Sequence, residues 1–282
     1  MKNVIKIFGL LVLICFSFFY TDRVMNILLE QDPIMVEIID NKNKYEILPV
    51  NAVIDNDTIM PGISGKVVLE KESYNNMKNF GLYLENYLVF EQVKPTISID
   101  NNFNKYIISG NKNKKNVSII FIVSNKKQLN FLENKINSVD IKLNYFIDEK
   151  LLNSDTNYIK MLKNREIYNY GDNGNYREDK MLYFNNLLTR IRKNEAIYCL
   201  VKEKNDEILR LCEKNNLYTI LPNLVINNNL YNEIKDKISN GSIILIDLNQ
   251  ININNLNNAI NFIQSKGLNV VYLSDLLSEN LD

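Results

Sequence analysis

"GSIILIDLNQININNLNNAINFIQSKGLNVVYLSDLL", residues 241–277, contains two kinds of hydrophobic period in close succession. "SIILIDL" is a near-continuous apolar run, as in a strand covered on both faces of a parallel sheet. In "NNLNNAINFIQSKG", Leu256, Ala259, Ile260 and Ile263 recur at helical spacing, and Gly267 stands where a helix C-terminus needs a left-handed residue. "LNVVYL" and "SDLL" then repeat strand and helix. A strand, a helix and a second strand in this order make a β-α unit of a parallel sheet.

The same alternation extends upstream. "VSIIFIV" (117–123), "IKLNYFID" (141–148), "AIYCLV" (196–201) and "LYTILP" (217–222) read as strands. "KKQLNFLENKI" (126–136), "EKLLNSDTNYIKML" (149–162), "REDKMLYFNNLLTRIRKN" (177–194), "NDEILRLCEKNN" (205–216) and "LYNEIKDKISNG" (230–241) read as helices. Phe184, Leu187, Leu188 and Ile191 give one of these helices its apolar face, and Ile208, Leu211 and Cys212 another.

Residues 24–110 read differently. Four of the five prolines (33, 49, 61 and 95) fall there. The short runs "IMVEIID", "KYEILPV", "KVVLE", "YLVFEQV" and "TISID" suggest strands broken by turns. Pro61, Gly62 and Gly65 mark a turn, and "ESYNNMKNFG" a short helix with Ser73 as N-cap and Gly81 past its end. The expectation is a small α+β module over 24–110. "GNKNKKN", residues 110–116, reads as a solvated connector to the domain over 111–282.

Ahead of both lies "MKNVIKIFGLLVLICFSFFYTDR", residues 1–23. Lys2 and Lys6 precede fourteen uncharged residues, 7–20, closed by Asp22 and Arg23. From Val4 the run is about seventeen residues, the short limit for a membrane span. Positive charge before the run places the N-terminus in the cytoplasm and the rest outside. Phe-Ser-Phe-Phe-Tyr at its end lacks the small residues of a cleavage site, so an uncleaved signal-anchor is expected. The expected location is the cell membrane, single-pass, with the C-terminal domain extracytoplasmic.

Composition excludes several chemistries. There is no histidine, so Ser-His-Asp triads, Cys-His pairs and His-ligated zinc are impossible. Lys+Arg and Asp+Glu balance at 33 each, without the basic excess of a nucleic-acid binder. Of three cysteines, Cys15 lies in the apolar run, while Cys199 and Cys212 read as small buried apolar residues rather than a disulfide.

The order of elements resembles the polysaccharide deacetylase (NodB-homology) family. "GSIILIDLNQININNLNNAINFIQSKGLNVVYLSDLL" is similar to the family's closing Gly-x-Ile-Ile-Leu strand, helix, Lys-Gly and Val-x-Leu-Ser-x-Leu-Leu finish. "VSIIFIVSN" followed by "IKLNYFID" resembles its first strand, helix and Ala-Thr-Phe-Phe strand. "YCLVKEKNDEILRLCEKNNLYTI" resembles the strand of its Arg-Pro-Pro-Tyr-Gly motif with the helix behind it. The resemblance covers residues 115–280 and lies in element order more than in identical motif residues.

It implies a distorted (β/α) barrel and metal-dependent N- or O-deacetylation of a polysaccharide. In the family one Asp and two His hold the metal, usually zinc, a neighbouring Asp is the base and a later His the acid. Those residues do not carry over. Ile122 and Val123 stand after Phe121 in place of the paired aspartates. "REIYNYGDNG" keeps Glu166, Ile167 and Asn169, but the histidine positions are Tyr170 and Gly174. The Arg-Pro-Pro positions are Cys199, Leu200 and Val201, and the late histidine aligns with Asp247.

Three functional readings follow. The first is a membrane-anchored, catalytically inactive relative, with no metal site and no cofactor. It would bind a glycan or an envelope protein at the former substrate groove through Tyr168, Tyr170, Asn173, Asn175 and Tyr176. The second is a working hydrolase of acetyl C–N or ester bonds with a carboxylate-only site. Asp247 and Glu166 would be its acid/base pair, with Asp172 nearby. The local alternative is that Glu166 and Asp172 are solvated loop residues and Asp247 caps a turn. The third is a scaffold contacting an envelope complex through Pro61-Gly62, Gly65 and the Ser73-Tyr74 stretch.

Overall fold

The computed structural model describes residues 2–136, 141–162, 164–192 and 196–281. Its elements in chain order begin with α1 (Lys2–Glu30), α2 (Pro33–Lys42), β1 (Val53–Asp55), β2 (Thr58–Met60), β3 (Gly65–Val68), α3 (Glu70–Met77) and β4 (Phe90–Val93). Then come β5 (Tyr106–Ile107), β6 (Asn116–Val123), α4 (Lys126–Ile136), β7 (Leu143–Ile147), α5 (Glu149–Ser154), α6 (Thr156–Met161), β8 (Arg165–Asn169) and α7 (Glu178–Arg192). The chain closes with β9 (Tyr198–Leu200), α8 (Asp206–Lys214), β10 (Tyr218–Ile220), β11 (Leu224–Val225), α9 (Leu230–Lys237), β12 (Ile243–Asp247), α10 (Leu256–Ser265), β13 (Asn269–Val270) and α11 (Leu273–Leu277).

Two compact units emerge. The first comprises Met1–Pro49, Ser64–Val93 and Leu281–Asp282; the second comprises Val50–Ile63 and Lys94–Asn280. In the first unit, the Val12–Glu30 part of α1 is long and apolar enough to cross a membrane, by length and composition, and none of it is buried. α2 takes the place of the strand expected over "IMVEIID". Asp32 caps it, its Oδ1 accepting from Ile34 N at 2.9 Å, and Pro33 pre-sets the first turn. Ile34 and Ile38, one helical turn apart, then bury with Val68 and Met77. Ser73 is not an N-cap: it lies inside α3, fully buried, and its Oγ accepts from Val89 N at 2.9 Å.

The second unit carries two sheets. In the first, β11-β12-β6-β7-β8 run parallel, and β13 also pairs with β6. In the second, the order is β1-β2-β5-β10-β9, parallel except for β1 against β2. Successive residues of β6 face opposite sides. Val117, Ile119 and Phe121 join the helices in one cluster with Leu129, Ile260 and Ile263. Ile120 and Ile122 enter an inner cluster fed by both sheets, with Phe146, Tyr168, Tyr198, Ile220 and Leu245. The fold is therefore a mostly parallel α/β arrangement around a shared inner core. Strand pairing among the described residues of this unit makes two sheets rather than one closed barrel.

Several local expectations change. Residues 50–63 and 94–110 belong to the second unit, because Ile59 and Ile107 of β2 and β5 are almost wholly buried in the inner cluster. "TISID" forms a short 3-10 turn over Ile99–Asn101, where Ser98 Oγ accepts from Asp100 N. "EKLLNSDTNYIKML" breaks at Asp155 into α5 and α6. The 110–116 stretch is no solvated connector. Gly110 N donates to Gly241 O at 2.8 Å, Asn111 Nδ2 to Pro61 O at 2.9 Å, and Lys114 Nζ to Asn280 O at 2.9 Å. Cys199 and Cys212 form a disulfide, contrary to the reading from sequence. Cys199 points outward from β9 onto the inner face of α8, which carries Cys212, and both sulfurs are buried there.

Candidate functional site

Because β6, β7, β8 and β12 are parallel, their last residues share one edge. Asp247 pairs with Ile122, Val123 with Ile147, and Ile147 with Asn169. The segments leaving that edge build the mouth, as is general for parallel sheets. Together with Lys202, which follows β9, they line a polar pocket of about 460 Å³ containing Ser124, Asp148, Asn173, Asp247 and Asn249.

Asp247 is 6% exposed. One carboxylate oxygen meets Lys202 Nζ at 2.5 Å, and the other accepts from Asn249 N and Asn249 Nδ2, both at 2.9 Å. Asp148 is also buried. Its Oδ1 accepts from Lys150 N at 2.9 Å and its Oδ2 from Asn173 N at 2.8 Å, so it ties α5 to the loop after β8. Both carboxylates thus keep hydrogen-bond partners, as buried acids require.

Tyr170 lies within the electrostatic reach of both acids, and only 3% of it is exposed. Burial first, then the charges of Asp247 and Asp148, hold its phenol protonated well above the ordinary tyrosine range. Gly174 lies beside it with φ +87°, a left-handed conformation that favours glycine. A Cβ on residue 174 would sit 2.9 Å from Tyr170 Oη. Tyr176 seals the loop from below: its hydroxyl accepts from Leu200 N at 3.0 Å and donates to Asn169 O at 3.2 Å. Burial raises its pKa as well.

Most residues singled out from sequence lie elsewhere. Ile122 is in the inner cluster and Val123 in the outer one, both fully buried. Cys199 faces α8 in its disulfide. Tyr168 is buried under the mouth and donates to Glu166 Oε2 at 2.6 Å. With Tyr170 equally enclosed, neither ring offers a face to a sugar. Asn173 and Asn175 are exposed at the loop surface, and Tyr176 is half-buried.

Glu166 is neither a solvated loop residue nor a partner of Asp247. It is the second residue of β8, near the strand's opposite end, and also accepts from Ser274 N at 3.2 Å. Asp172 pairs with Lys150 at 2.7 Å, and that ammonium holds its carboxyl below the usual range. The expected acid/base pair and the carboxylate trio are not assembled.

The metal that the resemblance implies fails a test of donors. The three ligand positions and the base position beside them supply two buried aliphatic side chains, a phenol held protonated and a glycine. Among the described residues no three His, Cys, Asp or Glu side chains converge on one point. The neighbourhood of Asp247 is occupied by an ammonium instead. Sequence reasoning missed Asp148, Lys202 and Asn249. Asp148 and Asp247 had a readable signal, since each lies at the end of an apolar run.

No protein-family model matches the chain. The uncharacterized protein YlxY of Bacillus subtilis is 34% identical over 95 residues, covering 33% of this chain and 30% of that protein. The chain thus matches less than a third of that relative's length. Among solved structures, a CE4 family pseudoenzyme from Bacillus anthracis superposes with a TM-score of 0.64 at 22% identity. The match covers 89% of this chain and 97% of that one. The fold is that of the CE4 polysaccharide deacetylases. A peptidoglycan N-acetylglucosamine deacetylase shares it at a TM-score of 0.51 and 17% identity, over 62% of this chain and 95% of its own. This chain shares that fold, and the positions at which the resemblance implies Asp and His ligands carry Val123, Tyr170 and Gly174.

Proposed function

We propose that this protein is held in the cell membrane by α1, faces the envelope, and uses the deacetylase fold to bind a glycan without deacetylating it. The observation that carries the proposal is the ion pair of Lys202 with Asp247 at 2.5 Å, inside a pocket framed by hydrogen-bonding side chains. A resident ammonium neutralises the acid that would otherwise help to hold a dication. The surrounding amides, hydroxyl and carboxylates offer the mixed donors and acceptors that sugar hydroxyls require.

The placement has independent support. α1 carries Lys2 and Lys6 near its start and is apolar along Val12–Glu30. The Cys199–Cys212 disulfide fits an oxidising compartment rather than a reducing cytoplasm.

The test uses the full chain purified in a non-glycosidic detergent. Zinc content is measured together with acetate release from acetylated chitooligosaccharide and retention on insoluble peptidoglycan. Retention without acetate release and with only trace zinc is the expected result. Acetate release would overturn the non-catalytic half of the proposal. Loss of retention would overturn the binding half.

A further inference from the structure

The pocket at the mouth contains no exposed aromatic ring, yet one lies next to it. α5 and α7 flank a second pocket of about 470 Å³, lined by Glu149, Asn153, Asp179, Lys180, Tyr183 and Phe184. Lys150 lines both pockets, so the two adjoin. Tyr183 is 59% exposed, whereas its neighbour Phe184 is buried. Phe184 meets the Tyr183 ring edge-on, with centroids 5.1 Å apart at 79°, and braces it in place. Lys180 is fixed by Glu149 at 2.8 Å, and the Glu149 side chain is 8% exposed.

We infer that this second pocket is an outer carbohydrate subsite, holding a hexopyranose of the same glycan that occupies the mouth, with Tyr183 as its stacking platform. The inference rests on the glycan reading above. A pyranose ring presents a C–H face that matches an aromatic ring and a rim of hydroxyls that needs donors and acceptors. Tyr183 supplies the first. Asn153, Asp179 and the Lys180–Glu149 pair supply the second. An acyl chain would meet Glu149, Lys150, Asp179 and Lys180, four charged side chains among the seven that line the pocket. The site also relocates the aromatic contact expected at Tyr168 and Tyr170 to a ring that is accessible.

Isothermal titration of the full chain with N-acetylated chitooligosaccharides from dimer to hexamer tests it, in non-glycosidic detergent. In the wild type, affinity rises with length as the ligand reaches the second pocket. Tyr183→Ala removes that gain, weakening the hexamer about five- to tenfold while the dimer is unchanged. Tyr183→Phe restores it. Lys202→Met weakens every length. An unchanged hexamer affinity in Tyr183→Ala overturns the outer subsite, and a Lys202→Met effect in the same series keeps the mouth reading intact. No binding of any oligomer to the wild type overturns both. Tyr183 is exposed, so its substitution leaves folding intact; circular dichroism of each variant checks this.

Discussion

Gly174→Ala separates a mouth filled by Tyr170 from one with room for a second metal-binding side chain. Two penalties follow from the geometry. At φ +87° an L-residue pays about 1–2 kcal/mol for the left-handed backbone. The new Cβ would also lie 2.9 Å from Tyr170 Oη and 3.1 Å from its Cζ. Tyr170 is 3% exposed, so it has little space into which to swing. Overpacking of this kind costs about 1–3 kcal/mol. Gly174→Ala should therefore destabilise by about 2–5 kcal/mol in total. Tyr170→Phe deletes the nearest atom and leaves the backbone strain untouched. The double variant should recover about 1 kcal/mol relative to the sum of the singles. Chemical unfolding followed by far-ultraviolet circular dichroism measures all four corners of the cycle. If the two effects add to within about 0.5 kcal/mol, Tyr170 does not occupy the space above Gly174 and the reasoning fails. If they couple, a histidine at 174 requires replacement of Tyr170 as well, so restoring one ligand position alone cannot rebuild a metal site.

Three further outcomes are expected. Opening the Cys199–Cys212 disulfide, thirteen residues apart, by Cys199→Ala with Cys212→Ala should cost about 3 kcal/mol, and thiol titration of the unreduced protein should detect Cys15 but not the other two. Tyr145, Tyr168 and Tyr170 have folded pKa values raised above 10.0, so the stability they contribute is fully present below pH 10 and is lost as pH rises beyond it. With no tryptophan in the chain, tyrosinate absorbance should show these phenols titrating only as the protein unfolds in alkali, and a smooth titration of all sixteen tyrosines in the folded state would contradict their burial. Lys202→Met leaves Asp247 without its counter-ion and should cost about 1–2 kcal/mol, discounted because Lys202 is one-third exposed; adding Asp247→Asn should return most of it in thermal melts.

The fold was legible where hydrophobic period and chain order agreed. "SIILIDL" and "VSIIFIV" became β12 and β6, which are paired in parallel, and the Leu256, Ala259, Ile260 and Ile263 stripe of α10 is buried throughout. Local signals failed where long-range contacts decided. "IMVEIID" alternates well enough for a strand, yet the Asp32-Pro33 start makes it a helix. Three lysines made 110–116 look solvated, but Lys114 is 8% exposed because carbonyls near the C-terminus surround its ammonium. The cysteine pair was missed because spacing alone does not show that β9 turns Cys199 toward α8. At the site, motif positions told what was missing and not what had replaced it. Lys202 follows β9, which belongs to a different sheet from β12, so only the fold brings it to Asp247, 45 residues away in sequence.

The state of the acids at the mouth bears on the proposed binding. Here the buried carboxylates are satisfied individually. Asp247 accepts from Lys202 and twice from Asn249, and Asp148 from two backbone amides on different segments. Such networks are stable only when every member is paired, and they hold the surrounding loops in one arrangement. Asp148 in particular fixes Asn173 at the rim, and Tyr170 fills the space beneath without reaching solvent. The inner layer of the mouth is packed, while its outer layer of Ser124, Asn173, Asn249 and Lys202 lines an open pocket. That division, a packed floor under a polar rim, is the arrangement that the proposed binding of a polyhydroxylated ligand would use.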